Sequence, residues 1–337
     1  MEIPYNDIVR KFIDMYAGRL RNQVSFMLSA CNFYMPIFEE ALDAYGLPLE
    51  LKYLPIIESA LNPSAVSRAG ASGLWQFMIG TGKIYGLESN SLIDERRDPI
   101  KATWAAARYL KEMYDIYGDW NLVIAAYNCG PGTINKAIRR ANGETDYWKI
   151  YNYLPKETRG YVPAFIAANY VMTYYCDHNI CPMETNIPAS TDTVQVNKNL
   201  HFEQIADLCN VPLDQIKSLN PQYKKQMIPG DSKPYTLRLP IDAISTFIDK
   251  QDTIYAHRAD ELFRNRKTVA IKEITPSTRK TTTAVAGKGK LTYYTIKSGD
   301  TLSTIAGKYG VTIKDIQRWN GMSNTKIAAG KRLKIYK

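Results

Sequence analysis

The sequence predicts a multi-domain protein in which an all-α domain is followed by two small βααβ modules. Three observations predict it. Up to about Tyr175, apolar residues recur at three- and four-residue spacing between Gly, Pro, Asn and Asp breaks. Beyond about residue 190 the chain resembles itself at an offset of 100 residues: Ile205 meets Ile305, Ala206 Ala306, Val211 Val311, Ile216 Ile316, Asn220 Asn320 and Gly230 Gly330. The length, 337 residues, suits two or three domains rather than one.

The helical segments follow from their residues. Phe33 to Tyr45, Pro99 to Tyr117, Leu122 to Tyr127 and Tyr161 to Tyr175 each carry apolar side chains at helical spacing. Asp98-Pro99 predicts a helix start, a capping carboxylate followed by a proline in the first turn. Thr103-Trp104-Ala105-Ala106-Ala107 and Ile124-Ala125-Ala126-Tyr127 place small side chains where helices can approach closely. Residues 1–30 are expected to form an N-terminal helical extension and 31–185 the main helical domain.

Each repeat copy reads as a short strand, two short helices and a closing strand. The strands are Val194-Gln195-Val196 and Thr236-Leu237-Arg238-Leu239 in the first copy, and Tyr294-Thr295-Ile296 and Arg332-Leu333-Lys334-Ile335 in the second. The modules are assigned to 190–240 and 291–337. Between them, 241–290 begins with an amphipathic stretch from Ile241 to about Arg266. Lys267 to Lys290, rich in Thr and Lys, lacks the apolar surface to order itself and is expected to be a flexible tether that leaves the last module mobile.

The net charge of +10 favours an anionic partner: nucleic acid, a membrane surface or an acidic wall polymer. The basic residues are spread through every segment, with no basic run interleaved with aromatics, so nucleic acid is set aside. No window approaches the ~18 apolar residues of a membrane span, and no basic-then-apolar leader opens the chain. A cytoplasmic protein and an exported one whose leader has been removed both fit. Five scattered cysteines make no complete disulfide framework, and with His178, His201 and His257 they give no zinc spacing, so no metal or cofactor is expected. Cys176 and Cys181 are near enough in sequence to pair in an oxidising compartment, or to stay two free thiols.

The chemistry centres on Glu58, which sits in the apolar run Leu54-Pro55-Ile56-Ile57-Glu58-Ser59-Ala60-Leu61. A carboxyl among aliphatic side chains loses hydration, which penalises its charged form and suits it to general acid catalysis near neutral pH. A single Glu in an amphipathic helix is more often a solvent-facing residue, and the neighbours tip the balance. Asn62-Pro63, Gly70 and Gly73 predict that the chain leaves the helix and folds tightly back, bringing Ser67, Trp75 and Gln76 near the helix end. A hydroxyl, an amide and an indole beside one carboxyl suit a sugar, although Trp75 is more readily a core residue.

Glu58-Ser59, then Ser67 with Gly70-Ala71-Ser72-Gly73-Leu74-Trp75-Gln76-Phe77-Met78, then Ala125-Ala126-Tyr127-Asn128-Cys129-Gly130-Pro131-Gly132 and Glu157-Thr158-Arg159-Gly160-Tyr161-Val162 make four motifs in order. On these, the helical domain closely resembles the soluble-lytic-transglycosylase family. Tyr294-Thr295-Ile296-Lys297-Ser298-Gly299-Asp300-Thr301-Leu302 through Tyr336 looks like a LysM module, a family that binds N-acetylglucosamine-containing glycans. Ile79, where the family has proline, and Cys129, where it has a small alanine, depart from the pattern. The first module departs further, with Asn197-Lys198-Asn199-Leu200-His201 in place of Lys297 to Thr301.

The resemblance implies a lysozyme-like helical fold and non-hydrolytic cleavage of peptidoglycan between N-acetylmuramic acid and N-acetylglucosamine, leaving a 1,6-anhydromuramoyl end. It implies Glu58, Ser67 and Tyr161 as catalytic residues and Gln76, Tyr127 and Asn128 along the sugar groove. Gly299, Asp300, Thr301 and Asn320 would hold glycan on the last module. No second acid accompanies Glu58 in its motif, and Glu157 belongs to a separate loop, so the substrate's own 2-acetamido group is expected to replace the usual second carboxylate. The implied partner is a peptidoglycan strand met by a monomer in the periplasmic part of the cell envelope; anchoring to the outer membrane would need a lipid or leader outside this chain. A hydrolytic lysozyme of the same fold and a catalytically silent glycan-binding scaffold are the alternatives.

Overall fold

The computed structural model describes residues 1, 3–185, 187–188, 190–264, 273, 291–297, 300–322 and 327–336. They fall into two units, Met1–Ile274 and Thr275–Lys337. The first opens with nine α-helices: α1 (Asp7–Ala17), α2 (Arg21–Ala44), α3 (Leu54–Ser59), α4 (Ile79–Ile84), α5 (Pro99–Tyr117), α6 (Trp120–Cys129), α7 (Pro131–Arg140), α8 (Tyr147–Ile150) and α9 (Lys156–Thr173). Asp98 caps α5 as its sequence predicts, accepting from the N–H groups of Ile100 and Lys101.

Their apolar stripes meet in one core. Phe38 of α2, Leu54 of α3, Leu110 of α5, Val123 of α6 and Phe165 of α9 are fully buried. Trp75 is buried with them, its indole donating to Thr103 Oγ1 at 2.9 Å, so it is a core residue. The N-terminal helices, expected as an extension, share this core: Val9, Ile13 and Tyr16 form the buried face of α1, which packs along α9. Gly160 permits the approach, because a Cβ there would meet the Phe12 ring at 3.2 Å.

The first repeat copy follows as β1 (Thr191–Val196), β2 (Asn199–His201), α10 (Phe202–Cys209), α11 (Leu213–Leu219), β3 (Met227–Pro229) and β4 (Tyr235–Pro240). β1 pairs antiparallel with β4, Val194 opposite Leu237. The β2–β3 pair, Leu200 opposite Ile228, adds two strands to the expected βααβ pattern. The stretch after Pro240 forms α12 (Ile241–Asp249), α13 (Gln251–Ala256) and α14 (Ala259–Leu262), and Phe247 and Ile254 enter the module's core. Leu92 and Ile93 of the helical part enter it too. Backbone bonds Asp94 N–H to Gln222 O (2.9 Å) and Lys224 N–H to Leu92 O (2.8 Å) fix the docking.

In the second unit, β5 (Leu291–Thr295) pairs antiparallel with β6 (Arg332–Tyr336) around α15 (Leu302–Tyr309) and α16 (Ile313–Asn320). Tyr294, Leu302, Ile305, Ile316, Leu333 and Ile335 make its own small core. The expected tether, 267–290, lies outside the described residues apart from Glu273. Cys176 and Cys181 are exposed free thiols. Among the described residues, no helix is long and apolar enough to cross a membrane.

Candidate active site

Helix α3 is short for a local reason at each end. Pro55 occupies its first turn, where a missing N–H costs nothing, and Ala60 and Leu61 at φ 51° and 58° turn it off. The helix therefore ends at Ser59, before the expected exit at Asn62-Pro63. The Ser59 hydroxyl donates to the carbonyls of Pro55 (3.0 Å) and Leu74 (2.9 Å), tying the helix end to the loop that follows.

That loop is a tight double reversal. Ser67 N–H donates to Ala71 O at 2.9 Å, Gly70 N–H to Ser67 O at 3.0 Å, and Ala71 N–H to Ser67 Oγ at 3.0 Å. Gly73, at φ +87°, lies so close to the next segment that a Cβ would sit 1.7 Å from the carbonyl oxygen of Arg96. Gln76, at φ 49°, donates from its amide to Gly73 O at 2.8 Å and Ala65 O at 3.3 Å.

Beneath the loop lies the buried guanidinium of Arg96. Its Nε and Nη2 each reach Asp94 at 2.8 Å, and its Nη1 donates to Gly70 O at 2.8 Å and Phe77 O at 2.9 Å. Sequence reasoning missed this pair. Arg96 and Asp94 show no local pattern, and only the fold brings them under a loop twenty-odd positions away in the chain.

Glu58, Ser67 and Gln76 line one cavity of about 450 Å³. Burial pushes the Glu58 carboxyl up to about 7, against the opposing effect of the Tyr161 phenol, which donates a hydrogen bond to Oε1. Tyr161, on α9, is itself held protonated, its phenol pushed far up by burial and by the charge of Glu58. Glu58 is the only carboxylate among the described residues lining the cavity, and Glu157 is exposed in the first turn of α9.

Two predicted groove residues stand elsewhere. The Tyr127 hydroxyl donates to Trp75 O at 2.7 Å, holding the loop from behind. Asn128 is exposed and accepts from the Thr158 hydroxyl at 3.0 Å, joining α6 to α9. Neither lines the cavity. Conversely, Tyr16, Leu20, Gln23 and Met27 of the N-terminal helices do line it, and no motif pointed to them.

In the second unit, Asp300 accepts from the Tyr294 hydroxyl (2.7 Å) and Lys297 N–H (2.8 Å), which together hold its carboxyl below the usual range. Thr301 caps α15. Asn320, expected to hold glycan, has its amide committed internally: it donates to Ile316 O (2.9 Å) and Lys334 O (2.8 Å) and accepts from Lys334 N–H (2.7 Å). Asn220 makes the same three bonds in the first copy, to Ile216 O, Arg238 O and Arg238 N–H, so the matched asparagines brace helix to strand. Gly299 lies outside the described residues.

A short helix thus presents one half-buried carboxyl to a glycine-rich loop, and two small strand-and-helix modules follow in the chain. Residues 35–150 match the family model of the transglycosylase SLT domain, 190–256 that of the lytic transglycosylase MltD LysM-like domain, and 294–335 that of the LysM domain. Membrane-bound lytic murein transglycosylase D of Escherichia coli (strain K12) is 32% identical over 341 residues, covering 99% of this chain and 70% of the relative. The chain belongs to the membrane-bound lytic murein transglycosylase D family. Soluble lytic murein transglycosylase of the same organism is 33% identical over 124 residues, 35% of this chain and 19% of that protein. The crystal structure of the 70 kDa soluble lytic transglycosylase from Escherichia coli aligns with a TM-score of 0.37 at 29% identity, over 42% of this chain and 24% of that one.

Proposed function

We propose that this protein is a peptidoglycan lytic transglycosylase that cuts the β-1,4 bond between N-acetylmuramic acid and N-acetylglucosamine and closes a 1,6-anhydro ring, brought to the wall by its LysM modules. The observation that carries the reading is Glu58: one half-buried carboxyl, near pKa 7, with no second carboxylate among the described residues lining its cavity.

Protonated Glu58 gives its proton to the glycosidic oxygen as the bond from that oxygen to the muramoyl anomeric carbon breaks. The 2-acetamido carbonyl oxygen of the same sugar attacks the anomeric carbon, taking the place of a carboxylate nucleophile. The Glu58 carboxylate then removes the proton of the 6-hydroxyl, whose oxygen bonds to the anomeric carbon and displaces the acetamido oxygen. Glu58 ends protonated and no water is consumed.

Tyr161 holds the carboxyl orientation through its hydrogen bond, and Ser67, whose oxygen already accepts from Ala71, keeps its own proton to donate to the sugar. Gln76 lines the same wall. Its relationship to a membrane-bound transglycosylase supports action in the cell envelope, on the periplasmic side. Mass spectrometry of fragments released from purified sacculi tests the reading: anhydro ends are one water lighter than the reducing ends a lysozyme leaves, and a silent scaffold releases nothing.

A further inference from the structure

Helix α1 and the first part of α2 lie outside the matched transglycosylase domain, which begins at residue 35, yet their junction forms one wall of the Glu58 cavity. Tyr16 comes from the end of α1, Leu20 from the turn, and Gln23 from the start of α2. Resting on the functional reading above, we infer that this junction is a saccharide-binding wall of the active site, with Gln23 and Tyr16 as its polar contacts and Leu20 as its apolar one.

Three features carry it. The junction is held against α9 and the turn that follows it. Phe12 packs on Gly160, next to Tyr161, and Arg21 donates to the carbonyls of His178 (2.8 Å) and Asn179. With the backbone fixed in this way, binding orders little more than the Gln23 side chain.

The wall also presents the right chemistry. A pyranose ring has apolar C–H faces and an edge of hydroxyl and acetamido groups, so its site needs apolar surface with a few fixed donors and acceptors. Leu20 and Met27 supply the former and Tyr16 and Gln23 the latter.

Finally, Gln23 has no internal task. Its side chain is exposed and forms no hydrogen bond among the described residues, unlike Gln76 across the cavity, whose amide nitrogen is committed to two carbonyls. Tyr16 shares the cavity with Glu58, and its phenol adds to the cost of ionising Tyr161, the hydrogen-bond donor to Glu58.

The test uses the full chain on soluble glycan strands prepared from sacculi, with anhydro-end release followed as a function of strand concentration. Gln23→Ala removes an exposed side chain and leaves the melting temperature in place. It is expected to raise KM about three- to tenfold, the worth of one or two neutral hydrogen bonds, with kcat within about twofold of the parent. Tyr16→Phe is expected to do the same to a smaller extent. An unchanged KM in Gln23→Ala overturns the inference, whatever Tyr16→Phe does. A parent protein that releases no anhydro ends overturns the functional reading instead, so the two failures are distinguishable.

Discussion

The phenol of Tyr161 on α9 donates a hydrogen bond to Oε1 of Glu58 on α3, joining two side chains 103 positions apart in the chain. The bond favours the charged carboxylate and opposes the burial that raises the Glu58 pKa to about 7. In the proposed mechanism the acid form does the first step, so activity is expected to be high below about pH 7 and to fall as the pH rises through it. Tyr161→Phe removes the opposing bond, so the basic limb of the kcat/KM profile is expected to move to higher pH, by about one unit. A limb that stays in place or moves down contradicts this geometry.

The same raised pKa makes a stability prediction of definite sign. A carboxyl whose folded pKa is about 7 rather than 4.5 binds its proton more tightly in the folded chain than in the unfolded one. The stability it contributes is full below pH 4.5 and is lost as the pH rises through about 7. Glu58→Gln never ionises, and its amide oxygen can still accept from Tyr161. The variant is expected to be more stable than the parent at pH 8, by on the order of 2 to 3 kcal/mol, and nearly equal to it at pH 4. Calorimetry at the two pH values checks it, and equal stability at both excludes a desolvated Glu58.

Two glycines of the active-site loop share a left-handed backbone and differ in their surroundings. A Cβ at Gly70 meets nothing within 4 Å, whereas one at Gly73 collides with the Arg96 carbonyl at 1.7 Å. Gly70→Ala is therefore expected to cost about 1 to 2 kcal/mol, the backbone penalty alone. Gly73→Ala adds overpacking and is expected to cost at least about 3 kcal/mol and to abolish cleavage. Similar melting temperatures for the two variants would contradict the close approach of loop and Arg96.

Much of this was legible in the sequence, for reasons that separate local from non-local physics. The helix over Pro99–Tyr117 matches its expected bounds because its start is encoded by adjacent residues, Asp98 and Pro99. The paired modules emerged from self-comparison because each copy repeats its own core, Ile216 and Ile316 being fully buried in both. Glu58 stood out through its apolar neighbours. The end of α3 did not, because Ala60 and Leu61 take positive φ under the hold of Ser59 on Leu74, a contact no local residue type announces. The Arg96–Asp94 pair and the N-terminal wall were hidden for the same reason. A motif records residues that are near in sequence, and these act across the fold.

The second unit has its own buried core. Deleting 291–337 is expected to weaken pelleting with insoluble peptidoglycan severalfold while leaving cleavage of short soluble strands close to that of the parent, since a tethered binding module acts by raising local concentration. Unchanged pelleting would remove this module from the account.

The most direct test is the rate at which Glu58→Gln releases anhydromuropeptides from purified sacculi at pH 6, where the parent carboxyl is protonated. Gln keeps the shape and loses the proton, so the rate is predicted to fall at least ~100-fold, the usual scale of general acid catalysis, with the fold intact. Release at near the parent rate would contradict the assignment of Glu58 as the acid and, with it, the mechanism built on that residue.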